Sequence, residues 1–306
     1  MKHYFFNTLV LMLLSCPALA GEAGSPINFK GIYICTFSGI PIGKMGIDIE
    51  QTPGHYAVAA DITTSGLLRL FVKHQSHSTT EASGEHFIYP AIEYETHYQT
   101  RGKKHYIRLV RKNGRVQETQ IPPENHVTRP AVPAAILKNA VDPLSLIIEA
   151  REKLQEARTA PSTPGGEGRG EGASSIRDPR PLTPSHRGRE EFFINVYDGN
   201  RLSEADFIIL GKKIIFYGTG KLPVIAVAAR RKPLAGFTRK ELAGFGPDDP
   251  TLYIYFSDDA KLMPLKLQMA LPFGLLTATL AKECLNGESC LLGIKQAPNS
   301  AMGSKR

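Results

Sequence analysis

Apolar and polar residues alternate with a period of two through much of the first half of the chain. Over residues 44–50, Met45, Ile47 and Ile49 point one way while Lys44, Asp48 and Glu50 point the other. Over residues 55–62, Tyr56, Val58, Ala60 and Ile62 alternate with His55 and Asp61. That period predicts half-buried antiparallel strands. Thr52-Pro53-Gly54 joins them with Pro ahead of Gly, the order of a type II turn. Further hairpin signals stand at Arg101-Gly102, Asn113-Gly114 and Asp198-Gly199, each flanked by strand-like residues, so the pattern predicts a meander. At the first of these turns, His105 is expected opposite Thr100 and His97 opposite Arg108. Strands resume at Glu190 and continue through residues 223–230, 251–256, 262–271 and 275–284. In the 262–271 stretch Leu265, Leu267, Met269 and Leu271 alternate with Lys266, Gln268 and Ala270.

A change of period marks one helix. Asp142 is placed as its N-cap and Pro143 at its first position, and Leu144, Ile147, Ile148 and Leu154 recur at helical spacing. Glu149 and Lys153 form an i,i+4 pair on its polar side. The helix, about residues 143–158, has one apolar stripe to bury, and the concave face of the sheet is the expected partner. Residues 161–189 have only Ile176 and Leu182 as large apolar side chains and predict a flexible Pro/Gly/Arg-rich insertion. Residues 296–306 read as a polar, disordered tail.

The first residues set the compartment. Met1, Lys2 and His3 lead a largely apolar run, and Ala18-Leu19-Ala20 is a small-x-small pattern, so a signal peptide over residues 1–20 cut after Ala20 is expected. The alternative is a lipid anchor at Cys16, for which Leu13-Leu14-Ser15 is an imperfect lipobox. Residues 21–295 then form a single β-rich domain. No later apolar run approaches the roughly 18 residues of a membrane-spanning helix, so no transmembrane helix is expected in the mature chain.

Export changes what the charge and the cysteines mean. A formal charge of +8 is spread along the chain. In an exported protein it points away from nucleic acid and toward anionic lipid headgroups or wall polymers. Cys284 and Cys290 flank Asn286-Gly287, a hairpin signal that sets the two opposite one another, so a disulfide pinning a hairpin is expected. Cys35 lies on an apolar strand and reads as a buried free thiol.

Catalytic signatures are sparse. His74 and His77 fall on opposite faces of a strand and do not share a metal. Asp258 and Asp259 lie between two strands, where Ser257 and the two carboxylates organise a tight turn. The chain has no Gly-x-Ser-x-Gly, His-Glu-x-x-His or Cys-x-x-Cys motif, and no metal or cofactor is implied.

The stretch GIYICTFSGIPIGKMGIDIE (residues 31–50), the DPLSLI helix start at Asp142, the hairpin YDGNRLSEADF (residues 197–207) and LYIYFSDDAKLMPLKLQM followed by GLLTATL resemble domain-of-unknown-function family 3108. The resemblance covers most of residues 29–280, with 161–189 as an insertion. It implies an exported protein of the Gram-negative envelope: a mainly β fold, in which a curved antiparallel sheet or open barrel, like those of lipoprotein carriers, wraps around one main helix. The family commonly has Trp ahead of the Ser-x-Asp turn, where Phe256 stands in a chain with no Trp. It implies no established activity.

The functional expectation is a non-catalytic binding or chaperone-like module for an apolar ligand, an acyl chain or an apolar peptide segment. Met45, Ile47, Ile49, Leu265, Leu267 and Met269 are its candidate ligand-binding residues, Met being adaptable to varied ligands. The same residues packing against the helix with no cavity is the competing outcome. Alternatives are an envelope scaffold contacting anionic polymers or a partner protein and, further off, a hydrolase.

Overall fold

The structure is a computed structural model describing residues 26–66, 69, 73–85, 88–100, 102–113, 115–120, 128–159, 190–245, 252–271, 274–284 and 290–294. Cys16, the cleavage site after Ala20, the 161–189 segment and the 296–306 tail lie outside the described residues. Thirteen strands follow in chain order: β1 (Ile27–Phe37), β2 (Ile40–Thr52), β3 (His55–Thr64), β4 (His74–Glu85), β5 (Ile88–Thr100), β6 (Lys103–Lys112), β7 (Arg115–Gln120), β8 (Glu191–Tyr197), β9 (Leu202–Tyr217), β10 (Gly220–Ala235), β11 (Leu252–Ser257), β12 (Pro264–Leu271) and β13 (Gly274–Glu283). Between β7 and β8 come a 3-10 turn (Ala134–Leu137) and helix α1 (Ser145–Thr159), and a single-turn helix α2 (Arg239–Leu242) follows β10.

All thirteen strands form one antiparallel sheet in the order β7-β6-β5-β4-β3-β2-β1-β13-β12-β11-β10-β9-β8. Two meanders are therefore joined back to back by the pairing of β1 with β13, with Tyr33 opposite Leu280 and Cys35 opposite Ala278. The edges are β7 and β8, and no ladder closes them into a barrel. The chain between those edges bridges them instead. Val141 forms an isolated parallel bridge with Val196 of β8: its N–H donates to the Asn195 carbonyl at 2.8 Å and its own carbonyl accepts from the Tyr197 N–H at 2.8 Å. One residue earlier, the Ala140 carbonyl accepts from the Arg111 guanidinium of β6. Two edge-side strands that do not pair are thus held by two successive residues, which also satisfies part of the open edge of β8.

Local chemistry explains the elements. Thr52 pairs with His55, and Gly54 has φ 81°, as the second central residue of a type II turn requires. β10 reads as a continuous apolar run because both its faces are covered: Val224, Ile225, Ala226 and Val227 are all buried. Asp142 caps α1, its Oδ1 accepting from the N–H groups of Leu144 at 2.9 Å and Ser145 at 3.0 Å. On the helix's polar side, Lys153 pairs with Glu156 at 3.0 Å, one turn on, rather than with Glu149.

The sheet wraps around α1. Leu144 and Ile148 enter a large core with Phe29, Ile47, Ile49, Tyr56 and Val58, while Ala150 and Leu154 enter a second core with Ile194, Phe207, Val227 and Phe256. One helix therefore serves both halves of the sheet, and full burial of Ile148 or Leu154 contributes about 1.5–3 kcal/mol each. Polar contacts fix its orientation. The Tyr56 hydroxyl donates to Ser145 Oγ at 2.7 Å, Thr80 Oγ1 to Asp142 Oδ2 at 3.1 Å, and Gln51 Nε2 to Glu152 Oε1 at 2.7 Å. Arg151, 1% exposed, donates through Nε to the Lys261 carbonyl at 2.7 Å and through Nη1 to Gln51 Oε1 at 3.2 Å.

Two expectations of detail are corrected. The β5–β6 turn is closed by Thr100 and Lys103, so His105 lies opposite Tyr98 and His97 opposite Tyr106. The register is displaced by two residues from the expected one, which leaves every side chain on its expected face. The Cys284–Cys290 disulfide is present, with Cα atoms 6.0 Å apart, but Cys290 belongs to no strand. It instead lies across the outer face of β2, where its N–H approaches Asp48 Oδ1 at 3.3 Å and the Leu292 N–H donates to Asp61 Oδ2 at 2.8 Å. Gly46 makes room for this strap, since a Cβ there would collide with the Cys290 carbonyl.

Candidate functional site

Ladder registers place all six candidate residues on the helix side of the sheet. In β2, Met45, Ile47 and Ile49 share the parity of Gln51, which bonds to the helix. Met45 pairs with Tyr33, Tyr33 with Leu280, and Leu267 with Ala278, which carries the same face across β1 and β13 to β12.

Burial on that face falls off along the strands, away from the helix. Ile49 and Ile47 are 0% and 3% exposed, Met45 is half-buried, and Ile62, directly opposite Met45 on β3, is 39% exposed. In β12 Leu265 is buried, while Leu267 and Met269 are half-buried. The helix therefore covers one end of the inner face and leaves the other partly uncovered.

An apolar belt starts at the less covered end, where Phe37, Leu276, Met269 and Leu252 are half-buried, and runs into the second core, where Ala229 and Phe207 are buried. Phe37, Leu276, Met269, Leu252, Ala229, Phe207 and Phe192 lie in one register row across seven strands, from β1 through β13, β12, β11, β10 and β9 to β8. Phe192 and Phe207 stack with centroids 4.9 Å apart. The next row, nearer the helix, holds Cys35, Ala278, Leu267, Ile254 and Val227. Cys35 is a free, half-buried thiol whose pKa burial raises, so it is slow to react at neutral pH. Of these two rows, the alternation pattern identified Leu267 and Met269 as candidates and missed Phe37, Leu252, Leu276, Phe207 and Phe192. Each of those alternates correctly within its own strand, but the row exists only through pairings between distant strands.

The outer face of β2–β5 has a different character. A groove of about 500 Å³ has Ala57 and Ala59 on its floor and Asp48, Glu50, Glu81, Glu93 and Glu95 on its walls. Lys30 pairs with Glu50 at 3.3 Å and Arg108 with Glu93 at 2.7 Å, which offsets part of the charge. A surface so acidic repels anionic polymers although the whole chain is basic. Beside it, His77 lies opposite His97. His77 Nδ1 is 2.6 Å from Asp61 Oδ1 and His97 Nε2 is 2.5 Å from Glu95 Oε1. The hydrogen bond to Asp61 raises the His77 pKa above its ordinary value, against the opposing effect of burial. Among the described residues no three His, Cys, Asp or Glu side chains are grouped to hold a metal ion.

Asp258 and Asp259 occupy the turn between β11 and β12. Asp259 Oδ1 accepts from the N–H groups of Lys261 at 2.9 Å and Leu262 at 3.1 Å and from Ser257 Oγ at 2.8 Å. Asp258 pairs with Lys212 at 2.8 Å and with Arg158 at 3.4 Å. Both carboxylates are thus engaged in holding the turn and the end of the helix.

No family's sequence profile matches the chain, and no curated protein matches it in sequence. In structure it is similar to a beta-barrel-like protein of domain of unknown function DUF1849 from Brucella abortus, with a TM-score of 0.51 and 9% identity. The likeness covers 86% of this chain and 99% of that one, and at such identity it is a likeness of fold alone. The resemblance to family 3108 is thereby overturned. Its quoted stretches are hairpin turns, alternating strands and one capped helix start, which many antiparallel sheets packed on a helix require for the same physical reasons. Among the described residues no helix is long and apolar enough to cross a membrane.

Proposed function

We propose that this chain is a non-catalytic binding module of an exported compartment, which receives an acyl chain or an apolar peptide segment against the belt of its inner face. The observation that carries this reading is the burial gradient: the helix fills the Ile47–Ile49 end, while Met45, Leu267 and Met269 stay half-buried beside the exposed Ile62. Half-buried apolar side chains on a shaped, continuous face suit a ligand that is itself apolar, and two methionines allow repacking around it. A signal-like N-terminus and the disulfide support export.

Cys35 supplies the test, because it faces the same space and is the free cysteine among the described residues. Maleimide labelling of Cys35 in the purified mature chain is expected to slow in proportion to the occupied fraction as a long-chain fatty acid or an apolar peptide is titrated in. The Met269→Asp variant, which puts a charge into the belt, is expected to lose that protection while keeping its fold. A labelling rate indifferent to both probes, in a protein from which solvent extracts no lipid, would overturn the reading.

A further inference from the structure

The β9–β10 hairpin reaches beyond the rest of the sheet. β11 pairs with β10 only from Val224 to Ala229, and β8 pairs with β9 only from Leu202 to Ile208. Residues 214–223 therefore form a two-stranded arm with no third strand on either side among the described residues. Its two faces differ sharply. Ile215, Tyr217 and Leu222 pack on the large core, whereas Ile214 and Phe216 are 67% and 72% exposed. Phe216 and Phe193 of β8 are the two most exposed large apolar side chains among the described residues, and only Phe216 has a second apolar side chain beside it on a projecting element.

The charge around those two residues has one sign. Residues 211–224 contain Lys212, Lys213 and Lys221 and no acidic residue. All three lysines are exposed, but Lys213 lies on the opposite face, while Lys221 and Lys212 share the face of Ile214 and Phe216. Lys221 Nζ lies 5.7 Å over the Phe216 ring, and Lys212 reaches back to Asp258 at the root of the arm. An exposed aromatic and a branched aliphatic side chain flanked by lysine, in a stretch with no acidic residue, is the composition of a segment that enters the headgroup layer of an anionic bilayer: the apolar side chains bury at the acyl boundary while the ammonium group stays with the phosphates. A partner protein would more often present its own acidic side chains to the lysines, but the exposed pair is narrow and sits at a tip, a shape suited to insertion rather than to a broad interface.

We infer that the β9–β10 tip is an interfacial anchor, by which Ile214 and Phe216 insert into the surface of a bilayer containing anionic lipid and Lys221, on the same face, contacts its phosphates. This inference stands apart from the reading of the inner face, because it concerns an outward surface and needs no bound ligand.

The chain has no tryptophan, so F216W installs a single reporter at the tip. Mixed with vesicles of phosphatidylglycerol and phosphatidylcholine, full-length mature F216W is expected to show blue-shifted emission protected from aqueous quenchers, and with pure phosphatidylcholine vesicles a much weaker change. In cosedimentation of the otherwise native chain, Phe216→Asp is expected to lower the partition coefficient by about tenfold or more, and Lys221→Glu by about fivefold. Because these side chains are exposed, circular dichroism and the midpoint of thermal unfolding should stay unchanged, which separates loss of docking from loss of fold. Emission that ignores anionic vesicles, or a Phe216→Asp chain that partitions like the native one, would overturn the inference. So would a native dimer in analytical ultracentrifugation that Phe216→Asp dissolves, since the tip would then be covered by a second copy.

Discussion

Removing the Cys284–Cys290 disulfide should loosen the strap on the outer face without unfolding the sheet. The bridge spans a sequence separation of 6, for which the chain-entropy relation gives about 2.2 kcal/mol at room temperature. What it restrains is the released strap, which in the native chain remains tethered at Cys284 when residues 290–292 lift away from Asp48 and Asp61. In a Cys284→Ser, Cys290→Ser chain that tether is gone, and the opening equilibrium shifts by about 2.2 kcal/mol, or about fortyfold. The amide of Leu292, bonded to Asp61 at 2.8 Å, reports that opening directly. Its hydrogen-exchange protection should fall by about that factor, while amides in β1, β2 and β13 keep their protection because their ladders do not involve the strap. Gly46→Ala should produce the same local loss with the disulfide intact, by pushing on the Cys290 carbonyl. If protection at Leu292 fell by less than about threefold, or if the β1–β13 amides lost protection to the same extent, the bridge would not act as a strap and the reasoning would be refuted.

Three further outcomes are expected. Leu154→Ala, at 1% exposure in the second core, should cost about 2–5 kcal/mol in urea unfolding, and a cost below about 1 kcal/mol would mean the helix is not held between the two halves of the sheet. His77 should titrate above its ordinary value in an NMR pH series. Because its folded pKa is raised, the stability it contributes is complete below about pH 6.5, the unfolded value, and disappears as the pH rises through the folded value. Asp61→Asn should bring that titration down, and a ring indifferent to the substitution would refute the assigned cause. Tyr33→Phe removes a buried hydroxyl that donates to the Pro264 carbonyl at 2.5 Å, and should cost about 1–3 kcal/mol in the same urea assay by leaving that carbonyl without its partner.

What was legible in the sequence is what local chemistry decides. Asp142 and Pro143 located the start of the helix because capping involves neighbours three residues apart, and the 262–271 alternation located β12 because a strand's faces follow from its own period. The inner-face placement of Met45, Ile47, Ile49, Leu265, Leu267 and Met269 followed from the same rule. The pairing of β1 with β13 was not legible, since it joins residues more than 240 apart at points such as Cys35 and Ala278, and with it the belt that crosses that junction was hidden. The strap was missed for a related reason: Asn286-Gly287 signals a hairpin locally, but Asp48, Asp61 and the bare surface of Gly46 on distant strands determine where Cys290 lies. Turn chemistry and alternation are also what made residues 31–50 and 252–280 look like a particular family. Such features belong to an architecture before they belong to a lineage.

Where the inner face can receive a ligand depends on whether the helix can move, and the contacts argue that it does not. Asp142, fully buried, accepts from two backbone N–H groups and the Ser145 and Thr80 hydroxyls; Tyr56 donates to Ser145; Arg151 joins Gln51 to the Lys261 carbonyl. Each such bond is worth about 1 kcal/mol net, but breaking any one strands a buried polar partner at a further cost, so the set opens together or not at all. An apolar chain entering this fold therefore does better to cover Met45, Leu267 and Met269, which are half-buried already, than to displace Ile148 and Leu154, which are not exposed. The expected signature is selective: a bound acyl chain slows exchange at amides of β11–β13 and protects Cys35, and leaves the exchange of α1 where it was. Faster exchange in the helix on ligand addition would mean that the chain enters by unseating α1, and that the polar contacts are weaker than their burial implies.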